Sequence, residues 1–199
     1  MAKILSKKFF DRPTVAVAKD LVGKYIVRQR RGPSSTGTTK KKYVALMITE
    51  TEAYDGPHDL ASHASCGRTE RTKIMFGEPG RFYIYFVYGM HWLVNIVTGP
   101  KGYPAAVLLR AGSYYDPITK KEITINGPAR LTKFLRITGT HNGKYANNKT
   151  GAWIEDRGTR INPRDIIAKK RIGVDYAGSL WANKPYRFTL KKSLTKPYR

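Results

Sequence analysis

YVALMITETEAY, residues 43–54, is the stretch from which the rest of the chain can be read. Val44, Leu46, Ile48, Glu50, Glu52 and Tyr54 fall at every second position, so a strand turns them to one face and the intervening residues to the other. That face begins apolar and ends in two carboxylates. The apolar start asks for a core beneath it. A buried, unpaired carboxylate loses its hydration, so the far end must either meet cations or open into a pocket. On pattern alone, strand-end glutamates facing solvent or salt-bridged to lysines are the commoner arrangement. Arg110, at the end of AAVLLRA (residues 105–111), is in the same way more often a structural ion-pair partner.

Outward from this strand, Asp11 and Pro13 followed by Val15, Val17, Ala18, Leu21 and Val22, then Gly23, predict a capped helix with a glycine stop. Residues 24–31 read as a strand. RRGPSSTGTTKKK, residues 30–42, predicts a mobile basic loop joining that strand to the first one, and a solvated turn is its plainer interpretation. Further strands are expected at residues 82–88, 92–97 and 105–111. Asn126, Gly127 and Pro128 open a helix that carries Leu131, Phe134 and Leu135. Residues 138–150, rich in Gly and Asn, should form a loop. No internal repeat or linker divides the chain. The expected fold is α+β: a single domain, residues 1–199, with a curved, mainly antiparallel β-sheet flanked by helices.

The 199 residues carry 37 Lys and Arg against 14 Asp and Glu, a formal charge of +23 that repels itself unless a polyanion compensates it. Basic residues are spread along the chain rather than gathered on one amphipathic helix, which favours nucleic acid over an anionic membrane. Cys66 is the only cysteine, so neither an internal disulfide nor a cysteine-based zinc site can form. MAKILSKKFF lacks the apolar run of a signal peptide. The apolar stretch at residues 82–97 is broken by Tyr83, Tyr85, Tyr88, Gly89, His91 and Asn95, below the length of a membrane span. A soluble, intracellular protein is expected.

Phe82, Tyr83, Tyr85, Phe86, Tyr88 and His91 crowd into ten positions, a density that suits either core packing or base stacking. The Tyr88-Gly89-Met90 step reads as a turn, and an aromatic at a strand tip is poorly placed for a core but well placed for a surface wedge. His58, Asp59 and His63 have no recognised ligand spacing, and no metal or other cofactor is expected. GxxxxGK[ST], GxGxxG and GxSxG fingerprints are all missing, which leaves water as the default nucleophile.

The blocks ITETEAYDGPHDLASHASCG (48–67), MFGEPGRFYIYFVYGMHWLVNIV (75–97), AAVLLRA, NGPARL (126–131), RIGVDYAG (171–178) and KPYRF (184–188) together resemble, collinearly over nearly the whole chain, the alkyladenine (3-methyladenine) DNA glycosylase family. The resemblance implies a monofunctional enzyme of base excision repair. Such an enzyme flips an alkylated or deaminated purine, such as 3-methyladenine or hypoxanthine, out of double-stranded DNA and hydrolyses its N-glycosidic bond with water. It further implies Glu52 as general base, with Arg110 and the backbone near Val174 holding the attacking water. Glu50 would then be structural or electrostatic. Tyr54 and Tyr85 would sandwich the base, His63 would close the pocket and Asn95 would stand near the purine C2 position. Tyr88 would be the wedge that enters the duplex, flanked by Met90 and His91. The partner is DNA carrying a damaged purine, met by a monomer without membrane contact where the DNA resides. GSYYDPITKKEITIN, residues 112–126, departs from the family, whose members often carry a longer arginine-rich connection there, and residues 138–165 match poorly. Two rivals remain open at this point: a non-catalytic basic nucleic-acid-binding protein, and a bifunctional enzyme working through a lysine Schiff base.

Overall fold

The computed structural model describes residues 2–32 and 40–191. In chain order its elements are β1 (Lys3–Ile4), α1 (Lys7–Phe10), α2 (Thr14–Leu21), β2 (Tyr25–Gly32), β3 (Lys40–Tyr54), β4 (Phe82–Val87), β5 (His91–Val97), β6 (Ala106–Asp116), β7 (Lys121–Asn126), α3 (Pro128–Leu135), β8 (Ala152–Asp156), β9 (Ile166–Lys169), α4 (Gly178–Ala182) and β10 (Arg187–Leu190). The described strands form one sheet in the order β1-β8-β2-β3-β6-β5-β4, with β7 beside β6 and β10 joining β3 to β9. Every pairing is antiparallel. The architecture is the expected α+β one, with the sheet curled into a half-barrel.

β3 organises the molecule. At 15 residues it is far longer than the usual ~5–6. Its first half pairs with β2 and residues Glu50–Glu52 pair with β10, while β6 follows its other edge. The pairing with β6 shifts register on both sides of Glu50. The alternation expected from Val44 to Tyr54 is therefore not continuous: a bulge bends the strand where the apolar part hands over to the carboxylates. Leu46 and Ile48 are fully buried, each contributing ~1.5–3 kcal/mol by leaving water. Beyond the bulge, the Thr51 hydroxyl donates to the Ala18 carbonyl of α2 at 2.7 Å, while Glu52 and Tyr54 line a cavity.

α2 forms as its periodicity predicts, with Thr14, Val17, Ala18 and Leu21 buried at helical spacing. Its predicted cap does not: Pro13 occupies the N-cap with no side-chain bond, and Asp11 instead ends α1, donating its backbone N–H to Lys7 O. Gly23 turns the chain at φ +88°, where a Cβ would meet Ile161 Cγ1 at 2.5 Å. α3 starts as expected, with Gly127 at the N-cap and Pro128 in the first turn, and packs Leu131 and Leu135 into the core. Residues 112–126, read as a short connection, extend β6 and form β7, a hairpin pairing Gly112 with Ile125 and Asp116 with Lys121. Residues 138–150 hold one short 3-10 turn at Gly139–His141 and otherwise irregular chain, as anticipated. The basic loop expected over residues 30–42 is shorter than that: Arg30–Gly32 pair with Lys40–Lys42 as the ends of β2 and β3, and residues 33–39 lie outside the described residues. No described helix is long and apolar enough to cross a membrane.

Candidate active site

The curled sheet and α3 enclose a cavity of about 410 Å3. The end of β3 supplies Glu52 and Tyr54; β4 supplies Tyr83 and Tyr85; β5 supplies Asn95; β6 supplies Arg110. His63 comes from the segment after β3, Ile172 and Val174 from the segment after β9, and Pro128 and Ala129 from the first turn of α3.

Glu52 is the one carboxylate among the residues that line the cavity. Its side chain is 0% exposed, yet three groups reach it: the Ile172 backbone N–H donates to Oε1 at 3.0 Å, the Tyr54 hydroxyl donates to Oε2 at 3.0 Å, and Arg110 Nε lies 3.6 Å from Oε1. Burial pushes the Glu52 carboxyl above its ordinary range, and Glu50 adds to that. Arg110, the Ile172 N–H and the Tyr54 hydroxyl pull it back without cancelling the effect. Glu50 is differently placed. Its Oε1 accepts from Arg187 Nη1 at 3.0 Å and lies 3.1 Å from Arg110 Nε, so it pairs with two cations where Glu52 meets only Arg110.

Around Glu52 the walls are aromatic. Burial raises the Tyr54 and Tyr85 phenols well above their usual range, which keeps both neutral. His63 packs edge-on against Tyr85 with ring centroids 4.6 Å apart. Its Nδ1 lies 3.0 Å from the Tyr83 hydroxyl, and Arg71 Nη2 lies 3.3 Å from its Nε2. A guanidinium only donates, so Nε2 accepts and the ring proton sits on Nδ1. Burial, helped by Arg71, lowers the His63 pKa to about 4, so the ring is uncharged at neutral pH. Asn95 is 2% exposed and its Nδ2 donates to the Tyr83 carbonyl at 3.0 Å, which fixes the amide's orientation.

At the mouth, β4 and β5 are joined by a tight turn in which the Met90 N–H donates to the Val87 carbonyl at 3.1 Å. Tyr88 and Gly89 both take positive φ, 53° and 65°. The left-handed conformation costs a non-glycine residue roughly 1–2 kcal/mol, and here it carries a side chain that is 88% exposed. Tyr88 and His91 border the cavity; Met90, 66% exposed, lies on the same turn outside its lining.

Glu52, Tyr54, His63, Tyr85, Asn95, Arg110 and Val174 thus all converge on one cavity. Three contributors have no local signature in the sequence. The first is the Ile172 N–H itself, two residues before Val174. The second is the fully buried pair Asp59–Arg171, with Nη2 to Oδ1 at 2.8 Å and Nη1 to Oδ2 at 2.5 Å. Arg171 also donates to the carbonyls of Ala53 and Trp181, tying the segment that carries Ile172 to the end of β3. The third is Arg71, whose guanidinium lies over the Tyr85 ring at 4.9 Å. Asp59 and His63 are therefore engaged with Arg171, Tyr83 and Arg71, and His58 is exposed, so the three do not gather around a common centre.

A buried carboxylate in an aromatic pocket, on a chain of charge +23, points to the class of enzymes acting on nucleic acid. The family model for methylpurine-DNA glycosylase matches residues 8–194, and the chain belongs to that family. A protein of Methanocella arvoryzae provisionally named 3-methyladenine DNA glycosylase is 43% identical over 203 residues, which cover 96% of this chain and 94% of the relative. Relatives with the same provisional name occur in Anaeromyxobacter sp. strain Fw109-5, 41% identical over 94% of this chain and 89% of the relative, and in Legionella pneumophila strain Paris, 40% identical over 96% of each. The protein is accordingly a DNA glycosylase of base excision repair, a hydrolase that binds DNA and acts on alkylated bases.

Proposed function

We propose that the protein, acting as a monomeric single-domain enzyme, draws an alkylated or deaminated purine, 3-methyladenine and hypoxanthine among them, out of duplex DNA and hydrolyses its N-glycosidic bond. The observation that carries this reading is the setting of Glu52: a buried carboxylate with raised pKa, held between the Ile172 N–H, the Tyr54 hydroxyl and Arg110 at the wall of a base-sized aromatic cavity. A volume of about 410 Å3 falls within the ~300–1,000 Å3 usual for ligand pockets.

In this mechanism Tyr88 enters the stack as the purine leaves it. Unstacking costs a few kcal/mol, which the wedge and the ring faces of Tyr54 and Tyr85, at roughly 1–3 kcal/mol per stacked base, offset. His63 closes the pocket with its backbone N–H towards the base edge, and Met90 and His91 flank the wedge. Glu52 takes a proton from a water held with the help of Arg110 and the backbone at Val174. The water oxygen bonds to the sugar C1′, and the electrons of the C1′–N bond leave with the base. Positive charge grows on the sugar as that bond breaks, and the same carboxylate stabilises it. An alkylated purine already carries positive charge and leaves readily; hypoxanthine must be protonated. The products are a free base and an abasic site, so the enzyme works where the cell keeps its DNA.

Glu52→Gln and Glu50→Gln, compared in single-turnover cleavage of duplexes with one altered purine, test the reading. Loss of a general base should slow Glu52→Gln by roughly 10²–10⁴-fold with lesion binding retained. Glu50→Gln should lose far less, because Glu50 is occupied by Arg187 and Arg110. Equal losses in the two variants would refute the assignment.

A further inference from the structure

A second basin lies at the C-terminal end of α3. Arg28 and Arg30 of β2, Arg136 at the C-terminal cap of α3, and Lys149 line it together with Gln29, Asn148, Thr150 and Gly151; no carboxylate is among them. Among the described residues none of the four cations makes an ion pair. Arg28 Nη1 donates to the carbonyls of Gln29 and Gly151 at 2.9 and 2.8 Å, and Arg30 Nη2 donates to the Phe134 carbonyl, so backbone oxygens hold both guanidinium groups in place. The Nε atoms of Arg28 and Arg30 are nevertheless buried without a hydrogen-bond partner. An orphaned charged donor is costly, and three guanidinium groups drawn together repel one another. Burial lowers the pKa of both Arg28 and Arg30, and Arg136 and Arg28 lower that of Arg30 further. Arg136 also stands in the left-handed region at φ 51°, a conformation with its own cost for a residue bearing a Cβ. Four cations that line one hollow without an ion pair among the described residues, two of them held by backbone carbonyls, fit an anion with several acceptor oxygens.

We propose that Arg28, Arg30, Arg136 and Lys149 form a phosphodiester-binding site that grips the DNA backbone away from the lesion. The proposal rests on the glycosylase reading only for the position of the lesion. α3 connects the two sites: Pro128 and Ala129 line the catalytic cavity and Arg136 lines the basin. Eight helical residues rise about 12 Å, so the two sites are close enough to be met by one short duplex. Such a contact carries no sequence or lesion information. It sets how far the duplex can pivot about Tyr88.

Arg136→Asn is the test variant, because asparagine tolerates the left-handed conformation. Lys149→Gln, on an exposed turn, provides the same test should the first variant fail to fold. On an undamaged 25-base-pair duplex, loss of one phosphate contact should flatten the log affinity against log salt plot by about 0.9, so the deficit relative to the wild type shrinks about threefold between 50 and 200 mM salt. Methylphosphonate linkages, which are uncharged, should then be introduced singly around a lesion. One such linkage near the lesion should weaken the wild type several-fold and leave the variant unaffected. Single-turnover cleavage at saturating enzyme should be unchanged. Parallel salt plots, or methylphosphonate effects that are the same in wild type and variant at every linkage, would overturn the proposal. So would protection of the wild type, but not the variant, by inorganic phosphate in thermal melting with DNA binding unaltered, since the basin would then serve a free anion. The salt plot needs no excision, so a protein that shows the slope change but cleaves no lesion would sink the glycosylase reading and leave this one standing.

Discussion

Asp59→Asn removes one charge from the buried pair and almost no volume. In the native protein the Asp59 carboxylate takes two bonds from Arg171 and two more from the backbone N–H groups of Asp55, at 3.0 Å, and Ala61, at 3.1 Å. Both side chains of the ion pair are 0% exposed, so water cannot take over. Removing one partner leaves the guanidinium charge uncompensated, a loss of about 3–5 kcal/mol against a total stability of ~5–15 kcal/mol. For a chain of this length that corresponds to a drop in Tm of roughly 6–20 °C. Urea unfolding at equal m values measures it. Arg171→Met should be as damaging. The double variant should cost less than the sum of the two, because the isolated charge is gone; it should still fall short of wild type, because the Ala53 and Trp181 carbonyls lose their donor at about 1–3 kcal/mol each. A loss below about 1 kcal/mol for Asp59→Asn, or strict additivity in the double variant, would refute the idea that this pair anchors the segment carrying Ile172.

Glu52→Gln should stabilise the fold at neutral pH. A carboxyl whose pKa rises on folding contributes stability below its ordinary pKa and loses it as pH rises through the folded value, so the variant's advantage in Tm should be present at pH 7 and shrink towards acid; a variant less stable at pH 7 would contradict the raised pKa. Tyr88→Gly relieves the left-handed strain while deleting the ring. Lesion-duplex affinity should fall by roughly 1–3 kcal/mol with Tm unchanged or slightly higher, whereas a collapsed Tm would mean the ring supports the fold. Asn95→Ala should lose about 1 kcal/mol with its bond to the Tyr83 carbonyl and raise excision of guanine derivatives relative to hypoxanthine; an unchanged ratio would reduce Asn95 to a structural role.

The elements legible in the sequence are those whose signal is local. α2 and α3 carry helical periodicity and their Gly and Pro punctuation, and β3 to β6 carry runs of apolar and aromatic residues bounded by turns. β8, AWIED, escaped because its burial comes from pairing with β1 and β2 at distant sequence positions, and β10 because its partners are β3 and β9. The β6–β7 hairpin escaped for a different reason. Its second strand is exposed over most of its length, so KEITIN carries too little apolar pattern to stand out. The site divides in the same way. A glutamate two residues from a tyrosine on one strand is visible at once, and its bond to that tyrosine is local. The donor that completes it, the Ile172 N–H, is 120 positions away, and the ion pair that seats this donor spans 112. Such contacts are decided by topology and leave no periodicity behind.

Two costs are concentrated around one cavity, and the fold explains why both persist. Glu52 is held ionisable in a place that disfavours its charge, and Tyr88 is held exposed in a backbone conformation that disfavours its side chain. Neither survives unless its surroundings over-determine it. For Glu52 that determination comes from β3, fixed along both edges by β10 and β6, and from Arg171, which brings the Ile172 N–H to the carboxylate. For Tyr88 it comes from the unbroken pairing of Phe82 to Val87 with His91 to Ile96, which leaves the turn no slack to relax. The two sets of constraints share β6, which pairs with β3 on one side and with β5 on the other. A change that loosens β6 should therefore disturb Glu52 and Tyr88 together, while a change confined to the β4–β5 turn should reach only Tyr88.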